Sequence, residues 1–409
     1  MTSTNLTEAT TDYISAVPLT KRKELGQYMT PATVSDIIFD HVVLEDGMKV
    51  LDPAVGTGEL LLAVKRRLNG RTVQLNGWEI DPEIMAVAQQ QIPEGQFRIA
   101  SMLDGYPSEE HGAYDFIIGN PPYFELKNSD FNRADFATAE GRTNIYGLFF
   151  ERTIPLLKEN GVLAFIVPPS MNAGSYFKKL RAYIIQHTTV EYVEIVRENK
   201  KFADALTSVQ IIILRKTSNP QPSEFVHDFR ATTRNLQAPV VFTDNDALIR
   251  QAWEGKKSVH EHGYEVTTGN IVWNENKEAL TADQETGTAP LYYAKDISST
   301  NTLQLSQKVA DKRWLASQRP RLEGKTILVN RIVGSLDNPR IKAALVDEAE
   351  YYAENHVNVI RPRTDHQQDI TIEELFQKLI NIPDFTHYLK AVTGNTQLSA
   401  KEVEWLLPL

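Results

Sequence analysis

Met48-Lys49-Val50-Leu51-Asp52-Pro53-Ala54-Val55-Gly56-Thr57-Gly58-Glu59 passes from a short apolar run, through a loop with two glycines, into an amphipathic stretch that continues to Leu68. The pattern predicts a strand at 48–51, a tight loop, and a helix over 59–68. Glycine tolerates positive φ and lets a ligand approach the backbone closely, while the helix start offers free N–H groups. No Gly-Lys-Ser/Thr follows the loop, which argues against a nucleoside-triphosphate loop. The full spacing of the dinucleotide fingerprint is absent as well.

The next apolar run, Val73 to Ile80, ends in Gly77-Trp78-Glu79-Ile80-Asp81-Pro82-Glu83. Asp as N-cap, Pro at the first helical position and Glu in the first turn predict a second helix start. A doubly wound fold uses an acidic residue at the end of its second strand to hold ribose hydroxyls. Glu79 is the candidate, with Ile80 packing on an adenine ring. A nucleoside-bearing cofactor without a phosphate loop points to S-adenosylmethionine.

Further along, the strand Tyr114 to Gly119 runs directly into Asn120-Pro121-Pro122-Tyr123. Two prolines continue neither a helix nor a central ladder, so the chain turns rigidly there. The turn presents an amide, carbonyls without competing N–H donors, and an aromatic face. That set can hold an exocyclic amino group through two acceptors and stack on the ring that carries it.

Strands at 161–167, 192–196 and 209–214 and a helix at 145–157 complete an alternating series over about residues 30–215, as a mostly parallel sheet would give. Thr217-Ser-Asn-Pro-Gln-Pro-Ser223 is a polar connector, and shorter β-like runs follow at 327–332 and 356–360. The expected organisation is a Rossmann-like α/β catalytic domain over 1–235, then a mixed α+β domain over 236–409.

The 409 residues include no cysteine. That removes disulfides, thiolate zinc sites and thiol nucleophiles, and with the last of these C5-cytosine methylation. No stretch approaches a membrane span and Met1 to Thr11 lacks a signal-peptide core, so a cytoplasmic protein without membrane contact is expected. The net charge of −10 argues mildly against nucleic-acid binding, although a basic cleft on an acidic protein works well. Lys312, Arg313, Arg319, Arg321, Lys325 and Arg331 form one basic cluster, which either meets phosphate or is plain surface. His260 and His262 lack partners at ligand spacing and are expected at the surface; no metal is required.

In combination, residues 23–215 resemble the catalytic domain of gamma-class, TaqI-like N6-adenine DNA methyltransferases, motif by motif and in the family's order. Lys23 to Pro31 is similar to the N-terminal cofactor motif, Asp52 to Gly58 to the glycine loop, Glu79 to the ribose-binding acid and Asn120 to Tyr123 to the catalytic motif. Asn144-Ile145-Tyr146 and Gly161 to Pro169 resemble the helix and strand motifs that follow. The resemblance implies cofactor contacts at Tyr28, Met29, Thr30, Pro31, Asp52, Pro53, Ala54, Gly56, Thr57, Gly58, Glu79, Ile80, Asn120 and Pro122. Where the family often has an acid after the third strand, this chain has Ala100-Ser101-Met102-Leu103-Asp104, so Ser101 and Met102 are taken as the contacts there, with Asp104 as the alternative acid.

The implied reaction is direct methyl transfer to the N6 amino group of an adenine flipped out of double-stranded DNA, using Asn120, Pro121, Pro122 and Tyr123. Phe202 resembles the aromatic residue that packs on the base's other face. Residues 240–409 would recognise the target, with Val266-Thr-Thr-Gly-Asn270 and Gly334 to Pro339 as turns able to reach base edges or phosphates. A protein glutamine or RNA methyltransferase shares the Asn-Pro-Pro-Tyr turn and is the competing expectation; a non-catalytic DNA-binding subunit is another. A fused nuclease would need a further carboxylate cluster and more chain. The expected assembly is therefore a monomer whose cognate restriction endonuclease, in a restriction–modification setting, is a separate polypeptide.

Overall fold

The computed structural model describes residues 6–127, 129–196, 209–334, 338–393 and 397–409. They divide into two compact units. The first contains most of the chain up to Val226 together with Phe242–Asp244; the second contains His227–Val241, Asn245–Leu409 and the short piece Ala173–Ser175. The change thus falls about ten residues before the expected boundary at 235. The reason is local: Phe229 and Val241 pack with Ile249 and Trp253, and His227 bonds Asp246 at 2.6 Å.

The first unit opens with α1 (Glu8–Ala16), α2 (Leu19–Glu24) and α3 (Ala32–Phe39). It then alternates β1 (Lys49–Asp52), α4 (Glu59–Arg66), β2 (Gln74–Glu79), α5 (Pro82–Gln91), β3 (Gln96–Ile99), β4 (Tyr114–Gly119), α6 (Ile145–Thr153), β5 (Leu157–Val167), α7 (Lys178–His187), β6 (Thr188–Val196) and β7 (Val209–Lys216). The sheet order is β3-β2-β1-β4-β5-β7-β6. β1 to β5 are parallel, and β7 enters antiparallel between β5 and β6.

Alternate residues of each strand feed opposite faces. Leu51, Ile117, Leu163, Phe165 and Ile212 pack on α6 and α7 through Phe149, Phe150, Leu180 and Ile184. Val50, Phe116, Ile118, Ala164 and Ile211 pack on α3 and α4 through Val34, Ile38, Leu61 and Val64. Burial on both faces is why these strands read as continuous apolar runs. Asp81 caps α5 by accepting the Glu83 N–H, with Pro82 at the first position, as its sequence predicts. The helices α1, α2 and α3 escaped the sequence reading, as did, within the alternating series, the bounds of β3, whose Gln96–Ile99 is largely exposed, and α7, whose apolar residues are spaced among charges.

The second unit has its own seven-stranded sheet. Its order is Tyr264–Thr268, Val357–Pro362, Leu322–Asn330, Ala343–Ala353, Ala289–Tyr292, Trp314–Leu315, Leu280–Thr281. The helices Ile372–Ile380, Phe385–Val392 and Ala400–Trp405 cover one face, where Leu375, Leu379, Leu389 and Val403 meet Val266, Ile327, Val329 and Ile360. His260 and His262 are not surface residues. His262 is buried and bonds Asp369 at 2.7 Å. His260 bonds Glu404 at 3.0 Å and stacks on Trp405.

Candidate active site

The carboxyl ends of β1, β2 and β4 and the turn after β3 surround one cavity, completed by the segment between α2 and α3. From that segment it receives Tyr28, Met29 and Thr30. The glycine loop contributes Asp52, Pro53, Ala54, Gly56 and Thr57. Glu79 and Ile80 come from the end of β2, Ser101 and Met102 from the turn after β3, and Asn120 and Pro122 from the end of β4. These are the residues the motifs single out, brought together from five separate places in the chain. Pro31, Gly58, Pro121 and Tyr123 are not part of this lining, nor is Asp104, which is exposed. Ser101 accepts the Leu103 N–H at 3.1 Å and so shapes the turn it sits in. Phe202 lies outside the described residues.

Glu79 is built into the loop it faces. One carboxylate oxygen accepts the Gly56 N–H at 3.0 Å; the other accepts from Ile80 at 2.9 Å and Asp81 at 3.2 Å. Burial raises its pKa against the pull of these three donors. The oxygen bonded only to Gly56 keeps a lone pair for a hydroxyl of a bound sugar, while the other already accepts two bonds. Asp52 is almost fully buried and accepts the Ala54 N–H at 3.1 Å. Desolvation pushes its pKa up to about 8, and the neighbouring Glu79 charge adds to the rise. Two desolvated carboxylates lining one cavity suit a ligand that is both cationic and hydroxylated. Ile80, 62 % exposed, supplies an apolar platform beside them. The donor set therefore fits S-adenosylmethionine.

Asn120 explains why the chain needs the 28–30 segment. Its amide nitrogen donates to the Tyr28 carbonyl at 2.9 Å and to the Thr30 hydroxyl at 3.0 Å. With both amide hydrogens engaged, the side-chain oxygen is left as the acceptor end. The Tyr123 hydroxyl reaches that oxygen and also the Ile166 carbonyl, the latter at 2.9 Å. One hydroxyl proton serves only one of them at a time, so a Tyr123 bonded to Ile166 leaves the Asn120 oxygen free. The Tyr123 ring stacks on Tyr28 with centroids 5.6 Å apart and meets Tyr146 edge-on at 6.2 Å. Burial holds its pKa well above the ordinary tyrosine value, so it stays a neutral donor.

Sequence reasoning missed several cavity residues. Glu59, the first residue of α4, is buried and accepts both the N–H and hydroxyl of Thr7, at 2.9 and 2.7 Å. Gln27 donates to Asp81 at 3.2 Å and accepts from Tyr13 at 2.9 Å, which ties α1 to the cavity rim. Glu59 adjoins the glycine loop, and Gln27 lies within the Lys23 to Pro31 motif without having been singled out, so closeness to motif residues was the available signal.

The basic cluster does not survive as one patch. Arg313 is buried and forms a forked pair with Asp296 at 2.6 and 3.0 Å, which removes it from the expected DNA contacts: exposing it would strand a fully buried carboxylate. Arg321 pairs with Glu350 and Lys325 with Glu373. Arg331 donates to the Asn355 carbonyl at 3.1 Å. Lys312 lies over the Trp273 ring at 4.5 Å, and Arg319 is exposed.

Residues 65–202 match the Eco57I restriction-modification methylase family. Among curated proteins the chain is 28 % identical over 215 residues to modification methylase CviBIII of Paramecium bursaria Chlorella virus NC1A, covering 52 % of this chain and 55 % of that protein. It is 24 % identical over 449 residues to the type II methyltransferase M.BsuBI of Bacillus subtilis, covering 94 % and 88 %. The chain thus spans about half the length of the first of these relatives and most of the second. Of the solved structures, a Listeria monocytogenes protein described as a putative class I S-adenosylmethionine-dependent methyltransferase superposes with a TM-score of 0.42 at 23 % identity, over 48 % of this chain and 64 % of that one. The chain is thus similar to restriction–modification methyltransferases, with the family match lying in residues 65–202.

Proposed function

We propose that this protein methylates N6 of adenine in double-stranded DNA at a specific sequence, as the modification enzyme of a restriction–modification system or as an orphan methyltransferase. The observation that carries the reading is the placement of Asn120 and Pro122 in the wall of the cofactor cavity, with the Asn120 amide oriented by Tyr28 and Thr30. Bound S-adenosylmethionine supplies an electrophilic methyl group there. Glu79 would hold its ribose, Ile80 its adenine, and Asp52 its cationic amino-acid end.

The chain's own contribution is positioning and electrostatics. An aromatic amino nitrogen is a poor nucleophile because its lone pair is conjugated with the ring. Acceptance of its two hydrogens by the Asn120 side-chain oxygen and the Pro121 carbonyl favours a more tetrahedral nitrogen with a localised lone pair. Preorganised groups of this kind contribute several kcal/mol. The target base must leave the duplex, at a cost of a few kcal/mol that stacking on Tyr123 would offset. On this reading Tyr28, now stacked on Tyr123, gives way or shares the ring when a base enters.

The second unit would recognise the target, and the cognate endonuclease would be a separate chain acting in the same cytoplasm. The enzyme would work as a monomer, since cofactor and catalytic residues all come from one unit. The test is to incubate the chain with methyl-labelled S-adenosylmethionine and, separately, duplex DNA, RNA and protein. Label on duplex DNA alone agrees with the proposal. Label on RNA or on protein glutamine moves the Asn-Pro-Pro-Tyr site to the competing enzyme class.

A further inference from the structure

In the second unit, three segments distant in sequence are knotted at one end of the sheet. The Asn355 N–H donates to the Ile271 carbonyl at 2.9 Å, the Gly269 N–H to Val357 at 2.8 Å, and the Arg331 N–H to His356 at 3.1 Å. The Arg331 guanidinium closes the knot on the Asn355 carbonyl at 3.1 Å. The approach at Gly269 is so close that a β-carbon there would stand 2.2 Å from the Glu354 carbonyl oxygen. The backbone is thus held tightly, and two side chains each give it one donor: Arg331 to Asn355, and the Asn270 amide nitrogen to the Pro320 carbonyl at 3.2 Å.

Ten buried side-chain polar atoms lack a hydrogen-bond partner among the described residues. Three of them belong to this knot: Asn270 Oδ1, Asn355 Oδ1 and Arg331 Nε. Such atoms are uncommon in folded proteins, and each calls for an explanation. Here two acceptors and a guanidinium donor lie unsatisfied on neighbouring segments. Their residues are only partly buried, and the adjacent His356 and Ile332 are exposed, so side-chain rotation brings the unsatisfied groups to a ligand. Among the described residues Arg331 has no carboxylate partner, in contrast to Arg313, Arg321 and Lys325.

We infer that Asn270, Arg331 and Asn355 form a duplex-DNA contact in which these side chains pair with the nucleic acid; the inference rests on the DNA-methyltransferase reading above. A guanidinium and two amides on neighbouring segments match the mixed donor and acceptor edges of base pairs, since Arg pairs with guanine and Asn with adenine in the major groove. The same guanidinium also suits a phosphate.

The experiment uses the full chain and its Arg331→Ala, Arg331→Lys, Asn270→Ala and Asn355→Ala variants. Affinity for duplex DNA is measured across a salt series, methylated positions are mapped on random-sequence duplex, and thermal unfolding is followed in parallel. Arg331→Ala is expected to weaken DNA binding about tenfold or more, or to spread methylation over additional sequences, with the unfolding midpoint and cofactor affinity kept. Redistribution of methylated positions identifies base contacts; uniform weakening with a shallower salt slope identifies phosphate contacts. A wild-type chain that methylates DNA, with variants that keep its affinity, salt dependence and site choice, overturns this assignment alone. A wild-type chain that neither binds nor methylates duplex DNA overturns the function and the assignment together.

Discussion

Gly26 lies against Pro122: a β-carbon on Gly26 would stand 2.6 Å from the Pro122 β-carbon. The contact joins the N-terminal cofactor segment to the catalytic turn, which lies almost a hundred residues away in the chain. Gly26 also has φ +65°, where an L side chain costs roughly 1–2 kcal/mol. Gly26→Ala should therefore lower stability by at least that amount and displace the turn. Denaturant unfolding and methyl transfer should both decline, with transfer falling further than the loss of folded protein explains.

Asn120→Ala removes the oriented acceptor while leaving Glu79, Asp52 and Ile80 untouched. Methyl transfer should fall about 100-fold or more, by analogy with deletion of a single preorganised catalytic group. Cofactor binding measured by calorimetry should change little. Loss of cofactor binding instead would make Asn120 a cofactor ligand first.

Asp52 yields a pH prediction. Its folded-state pKa, about 8, lies above the ordinary carboxylate value because burial disfavours the charge. The folded state therefore binds more protons than the unfolded one between these two values, and ligand-free stability should fall as pH rises from about 4 to about 8. Asp52→Asn should flatten that decline and stabilise the ligand-free protein at pH 7, while weakening cofactor binding. An unchanged pH–stability profile would show that Asp52 is charged at ordinary pH.

The cations of the second unit separate by partner. Breaking a buried ion pair from one side typically costs about 3–5 kcal/mol, so Arg313→Ala should lower the unfolding midpoint steeply by stranding Asp296. Lys325→Ala, whose exposed pair with Glu373 is weak, should leave both stability and the salt slope of DNA binding near wild type. A salt slope altered by Lys325→Ala would return that residue to the DNA interface.

Much of the site was legible because its chemistry sits in contiguous strand-end motifs: the glycine loop, Glu79 with Ile80, and Asn120 to Tyr123 each fall where an apolar run stops. The partners that orient them were less legible. Nothing in the sequence says that the Asn120 amide bonds Tyr28 and Thr30, or that Tyr123 stacks on Tyr28, because these contacts arise where the segment between α2 and α3 meets the turn after β4. The second unit shows the opposite case. Arg313 looks like its basic neighbours in sequence, and only burial against Asp296 separates them. His260 and His262 look isolated because their acidic partners, Glu404 and Asp369, lie more than a hundred residues downstream.

The central claim is the identity of the methylated atom. Duplex DNA treated with the enzyme and methyl-labelled S-adenosylmethionine, digested to nucleosides and resolved by mass spectrometry, should carry its label in N6-methyladenine. Label in a methylated cytosine would contradict the assignment of the Asn120 acceptor to an adenine amino group.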